Sequence, residues 1–326
     1  MILEGKTMKK ITTIAMLFAM AAAIVSCEKN DNPANAVETK GIKVIATTPV
    51  DTRVDITSNG DGFYSVAWDK AEGAEQVRIY YAYGTGAQAI GNWGNDQNVK
   101  ITVGENGEGS FWLNESKTPV ETKVWVLYPQ SATTANAAGN RPFTANVNEI
   151  YTTVKAVQTC GVDAPDKSQI LLFSKLDYPE GGQTATAPFV HMMSYGKLNF
   201  KGLETLDGDK ITQVKFTVND EGAVLAAGRY SYDPQTLKFK SVAAEDLNLN
   251  NSITVNTPEG GVGKSGDHNI WFAAIPSYET VYHDITVDVT LSGKTYTKTF
   301  KSEKGIQLNT GRIRPINVDM TGATAK

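Results

Sequence analysis

The sequence predicts an all-β protein, two β-sandwiches in tandem behind an export leader, and three observations carry that expectation. Apolar residues recur at every second position in many short runs, such as Val77, Ile79, Tyr81 and Tyr83, or Ile285, Val287, Val289 and Leu291. That period belongs to a pleated strand with one buried and one solvated face. The runs are rich in Val, Ile, Thr and Tyr and are separated by clusters of Gly, Asn and Asp, the residues of turns. After the leader, no segment sustains apolar residues at helical spacing for three turns, so strand–helix–strand units are not expected.

The leader comes first. Lys9 and Lys10 follow Met8, an apolar run extends from Ile11 to Val25, and the segment closes on Ile24-Val25-Ser26-Cys27. A basic start, a hydrophobic stretch and a small residue before cysteine describe a lipoprotein signal peptide, residues 1–26, cut so that Cys27 leads the mature chain. An ordinary cleaved signal with an incidental cysteine is the alternative. The stretch falls short of the roughly 20 apolar residues that span a bilayer. Acyl chains on Cys27 would anchor the protein, each buried methylene contributing roughly 0.8 kcal/mol.

Losing residues 1–26 removes Glu4, Lys6, Lys9 and Lys10 and takes the net charge from −4 to −6. Mild acidity argues against nucleic acid as a partner. With Cys27 acylated, Cys160 is the remaining cysteine and reads as a small buried hydrophobe. Residues 27–41 are polar, hold Glu28, Lys29, Asp31 and Pro33, and show no apolar period, so a flexible stalk is expected.

The strand signals then follow in order. Ile42, Val44 and Ala46 alternate with other residues, and so do Val99, Ile101 and Val103. Residues 124–128 are continuously apolar, as expected of a strand buried on both faces. Weak helical turns are expected at 131–138 and 243–249. The turn-rich Asp177-Tyr178-Pro179-Glu180-Gly181-Gly182 marks the expected boundary between sandwiches at 42–178 and 179–326. Val214, Phe216 and Val218 continue the pattern. Near the end, Ile316, Val318 and Met320 share one face and Asn317 and Asp319 the other, after a phase change at Pro315.

Motifs of catalysis are weak. Gly84-Thr85-Gly86-Ala87-Gln88-Ala89 matches a dinucleotide fingerprint by letters, yet Ile90-Gly91-Asn92-Trp93-Gly94 follows where a helix must start. Gly263-Lys264-Ser265 imitates the end of a phosphate loop, but Pro258 stands where its first glycine belongs. His191, His268 and His283 have no metal-ligand spacing, and His191, beside Phe189 and Met192, reads as packed in a sheet. No G-x-S-x-G elbow occurs. No catalytic residue, metal or cofactor is therefore expected. Trp125 and Trp271 lie in apolar runs and read as core, whereas Trp93, between Gly91, Asn92 and Gly94, is a candidate glycan contact.

These features together resemble the fimbrillin family of the Bacteroidota, the lipoprotein-derived type V pilins and their fimbrillin-like branch. The residues that carry the likeness are the lipobox at Cys27, Thr52-Arg53 after the first strand, and Trp68 ahead of the strand at 77–81. Val126-Leu127-Tyr128-Pro129 and Ile170-Leu171-Leu172-Phe173 add to it. The most specific is Pro188-Phe189-Val190-His191-Met192-Met193-Ser194-Tyr195-Gly196-Lys197-Leu198, with Ile316-Asn317-Val318-Asp319-Met320 near the end. The family commonly has Gly-Asp soon after the tryptophan, where this chain has Gly73-Ala74-Glu75.

The resemblance implies two transthyretin-like, Greek-key β-sandwiches and a lipoprotein exported to the outer membrane. A trypsin-like protease would cut after Arg53 and release the first strand. A neighbouring subunit would then fill the groove with a donor strand, here Ile316, Val318 and Met320. The partners so implied are other pilin subunits, outer-membrane lipid through Cys27, and a host or bacterial surface ligand. The implied role is a fimbrial subunit or fimbria-associated surface lipoprotein that serves adhesion. The alternative is a surface lipoprotein that holds polysaccharide for an uptake system, with Trp93 as its platform.

Overall fold

The computed structural model describes residues 41–47, 62–63, 68, 70–71, 75–82, 97–114, 123–132, 150–160, 164–177, 184–240, 247–265 and 270–326. The leader, with Cys27, most of the stalk, Arg53, the loop at 84–94 with Trp93, and the boundary cluster at 178–182 lie outside the described residues. Residues 40–326 form one compact unit.

The fold is nearly all β, with several sheets in a sandwich-like arrangement. The first half of the chain supplies β1 (Gly41–Thr47), β2 (Gly62–Phe63), β3 (Gln76–Ala82), β4 (Gln97–Lys100), β5 (Thr102–Val103), β6 (Gly109–Asn114) and β7 (Lys123–Tyr128). Next come β8 (Ile150–Val154), β9 (Val157–Thr159), β10 (Leu172–Asp177), β11 (Ala185–Pro188), β12 (Val190–His191) and β13 (Ser194–Lys201). They are followed by β14 (Lys210–Val218), β15 (Ala226–Asp233), β16 (Lys238–Lys240), β17 (Leu247–Asn250), β18 (Ser252–Asn256) and β19 (Val262–Gly263). The last are β20 (Ile270–Ala274), β21 (Tyr282–Leu291), β22 (Lys294–Ile306), β23 (Arg312–Asp319) and β24 (Thr324–Ala325).

Two sheets, ordered β11-β1-β6-β5 and β12-β10-β7-β3-β4, enclose the smaller core. Ile42, Val44, Phe111, Leu113, Val77 and Ile79 fill it from alternate positions of their strands, as the period of two requires. The larger core lies among the sheets β2-β23-β13-β20, β24-β22-β21-β14-β18-β9 and β16-β15-β17.

β7 shows how the two cores meet. Val124, Val126 and Tyr128 belong to the smaller core, while Trp125 and Leu127 belong to the larger. β10 divides likewise, with Leu172 and Leu176 on one side and Phe173 on the other. A sheet covered on both faces explains the unbroken apolar run of β7.

Pairing crosses position 178 in both directions. β11 and β12 complete sheets of the smaller core, while β8 pairs with β15 and β9 with β18. Most pairs are antiparallel, as the alternation suggests. Among the described residues three are parallel, β1 with β11, β13 with β23 and β9 with β18. Each parallel pair joins segments far apart in sequence, which local periodicity does not encode.

One expectation is corrected. The helical turn placed at 243–249 is strand from Leu247 on, because β17 hydrogen-bonds β15 at Ala226, Ala227 and Arg229. Tertiary pairing overrides a weak local helical preference there.

Gly196 is fixed by packing. A Cβ there would lie 2.2 Å from the Phe272 ring, which stacks on Phe216 at 5.1 Å. Only a glycine lets that ring lie on the β13 backbone.

Candidate functional site

β1 occupies an interior seat. On one side it runs antiparallel to β6, with Ile42 opposite Leu113, Lys43 opposite Trp112 and Val44 opposite Phe111. On the other it runs parallel to β11, from Val44 with Ala185 to Thr47 with Pro188. Ile42, Val44 and Ala46 are buried in the smaller core. Lys43 and Trp112 form a cross-strand pair on the exposed face, where Trp112 keeps 41% of its surface.

Trp68 clamps the strand's end. Its Nε1–H donates to the Ala46 carbonyl at 3.1 Å, and its ring meets Tyr128 and Phe189 edge-on at 5.3 and 5.6 Å. A Cβ on Gly109, the residue opposite Ala46, would lie 2.7 Å from that indole. The seat is therefore narrow at Ala46. The Phe189 amide donates to the Thr47 carbonyl at 3.0 Å and ties the seat to the segment leading into β12.

β23, which carries the expected donor residues, is bonded within its own chain. It lies parallel to β13, with Ile316 beside Leu198 and Val318 beside Phe200. Ile316, Val318 and Met320 are all buried in the larger core, and the Met320 amide donates to the Lys201 carbonyl at 2.8 Å. The phase change at Pro315 is real: Ile313 and Ile316 both point inward across it.

The remaining polar features read as structural. Glu75 is buried at the start of β3, and its carboxylate accepts from Tyr128 Oη at 2.6 Å and pairs with Lys167 Nζ at 3.1 Å. These groups border an open recess of about 340 Å³ with Gln76 and Ser168. His191 is packed as expected, with Nδ1 2.9 Å from Tyr195 Oη and the Gly311 backbone against its ring. Lys264 donates to the Leu206 carbonyl at 2.8 Å, and Gly263 sits in β19, so the phosphate-loop likeness is a strand bridge. Trp125, Trp271 and Cys160 are buried, and burial pushes the Cys160 thiol up. Among the described residues no three of His, Cys, Asp or Glu converge as metal ligands.

Sequence reasoning found β1 and β23 as strands but not the wall that β11 provides, nor the fit of Trp68 over Ala46 and Gly109. The parallel β1–β11 pair has no local signature. The nearest signal was Trp68 itself, a large aromatic that closes the run from Phe63 to Ala67 just before the charged pair Asp69-Lys70.

No protein-family profile and no curated protein matches the chain. Its fold is similar to that of a Bacteroides ovatus protein provisionally assigned to cell adhesion, with TM-score 0.51 and 18% identity over 88% of this chain and 95% of that one. A Bacteroides uniformis protein with the same provisional assignment aligns at TM-score 0.48 and 15% identity, over 88% of this chain and 97% of that one. A fimbrial protein from Bacteroides vulgatus aligns at 0.40 and 13%, over 88% and 97%.

Proposed function

We propose that this chain is a fimbrillin-type surface lipoprotein, a fimbrial subunit or fimbria-associated protein with a structural role in adhesion. The observation that carries the reading is the interior seat of β1. Cutting after Arg53 would free β1, leaving β6 and β11 with unpaired backbone on both sides of an apolar slot. A neighbour's strand can close such a slot by β-augmentation.

The terminal strand suits the slot chemically. Ile316-Asn317-Val318 repeats the order apolar, polar, apolar of Ile42-Lys43-Val44, with the same residues at the two buried positions. Met320 would fall where Ala46 lies, so the Trp68 indole must give way at the narrow end. Until that cut, acylated Cys27 anchors the precursor on the outer membrane, facing out.

The test is limited trypsin treatment of the pure chain, followed by N-terminal sequencing and electron microscopy. Cleavage after Arg53 and oligomers that resist SDS are expected. An uncut chain, or a cut chain that stays monomeric, would refute it.

A second reading, a glycan-holding surface lipoprotein, draws on the exposed Trp112 beside Lys43 on the outer face of the β1 sheet. Aromatic faces exposed on a flat sheet suit sugar rings. Glycan binding that is lost in Trp112→Ala or Trp93→Ala would favour it over the first.

A further inference from the structure

A second strand-sized groove opens at the seam of the larger core. β22 pairs with β21 from Leu291 opposite Lys294 to Asp284 opposite Lys301. On its other edge β24 covers Tyr296 and Thr297, and among the described residues no strand continues beside 298–304. β23 lies across the seam, bonded along one edge to β13, while on the other, among the described residues, β2 pairs with Arg312 and Ile313. Pro315, which has no amide to donate, fits an edge of this kind.

Between the two edges runs a groove of about 440 Å³. Ile285, Phe300, Ile306 and Ile316 give it an apolar lining. Its charged lining is four cations, Lys298, Lys301, Lys304 and Arg314, against one carboxylate, Asp319. That is a positive surface on a chain whose net charge is −4.

The backbone gathers these cations. β21 advances from Tyr282 to Asp284 while β22 runs from Ile306 back to Lys301, a bulge that re-aims side chains. Gly305 makes it possible, with φ of 66° and no room for a Cβ, which would lie 2.1 Å from Val281 Cγ1. Lys298 donates to the Thr321 carbonyl at 2.6 Å, and Lys301 stands 3.8 Å from Asp284 while largely exposed.

Lysines on a free edge discourage pairing with neutral or basic strands. The same lysines over an apolar floor admit a strand that brings carboxylates. We propose that this groove seats an extended acidic segment of a partner polypeptide, added as a strand beside 298–304 and 314–319, its carboxylates facing Lys298, Lys301 and Lys304. This contact needs no cleavage, and it uses β23 seated in its own fold, so a β23 donated to a neighbour's β1 seat could not form it.

The test uses the full chain and a short capped peptide in which valine alternates with aspartate. Binding should weaken steeply with salt, and hydrogen exchange should slow at 298–304 and 314–319. Replacing the exposed pair by Lys301→Gln with Lys304→Gln should weaken binding about tenfold, or 1.4 kcal/mol, with the thermal midpoint nearly unchanged. A second variant, Lys304→Gln, should weaken it less and keep part of the salt dependence. Absence of binding, equal binding of a valine–lysine peptide, or protection at a different sheet edge would overturn the proposal. So would a groove already protected by self-association of the chain without peptide.

Discussion

Removing β1 should unlatch the smaller core while sparing the larger one. Ile42, Val44 and Ala46 are at most 5% exposed, and all three belong to the smaller core. Burial of Ile42 and Val44 contributes about 1.5–3 kcal/mol each and that of Ala46 about 0.8. The side chains alone thus contribute about 4–7 kcal/mol, before backbone bonds to β6 and β11 at about 0.5–1.5 kcal/mol each. Typical domains are stable by about 5–15 kcal/mol, so a chain beginning at Val54 should hold its smaller core only marginally. Hydrogen exchange would show fast amides in β3, β6 and β7 and unchanged protection in β14 and β21. A synthetic peptide of residues 41–47 should restore protection, adding about 2.7 kcal/mol at a free concentration about 100 times its Kd. The same peptide with Val44→Asp should not. Equal protection with and without β1, or no response to the peptide, would refute the reasoning.

Four further outcomes follow from particular contacts. Gly196→Ala would drive a Cβ into the Phe272 ring and should cost at least about 1–3 kcal/mol in chemical denaturation, part of it recovered by adding Phe272→Leu. Tyr128→Phe removes the 2.6 Å bond to buried Glu75 and should cost about 1–3 kcal/mol. Lys167→Met takes the ion-pair partner from the buried Glu75 carboxylate and should cost at least about 1 kcal/mol in the same assay. Burial pushes Tyr278 and Tyr282 up to about 12. The unfolded chain ionises its tyrosines near about 10, so stability should be intact below that pH and fall as pH rises toward 12. Titration by phenolate absorbance checks this, and two tyrosines that ionise at the ordinary pH in the folded chain would contradict it.

Strands whose faces differ in polarity were legible in the sequence. β14 and β21 bury Val214, Phe216, Val287 and Val289 just where alternation places them, and β7 buries five consecutive residues because both its faces are covered. The packed state of His191, Trp125 and Trp271 was also readable from apolar neighbours. Pairing between distant segments was not. Nothing local tells that Ala185 will lie beside Val44, or that Val157 will lie beside Thr254. The Glu75–Tyr128–Lys167 cluster comes from three segments that meet only in the fold, and neither residue type nor spacing announces it. β17 was misread because Leu247 and Leu249 fit a helical turn as well as a strand until β15 is beside them.

Strand exchange at the β1 seat is tested most directly by a cross-link. Lys43 faces Trp112 on the exposed side, and Asn317 holds the matching place between Ile316 and Val318. One batch of chain carries Trp112→Cys and another Asn317→Cys, with buried Cys160 left in place. After cleavage at Arg53 and mixing under oxidising conditions, a disulfide joining the two batches is expected, and none should form in the uncut mixture. A cut mixture without that bond, or an uncut one that forms it equally well, would contradict the account.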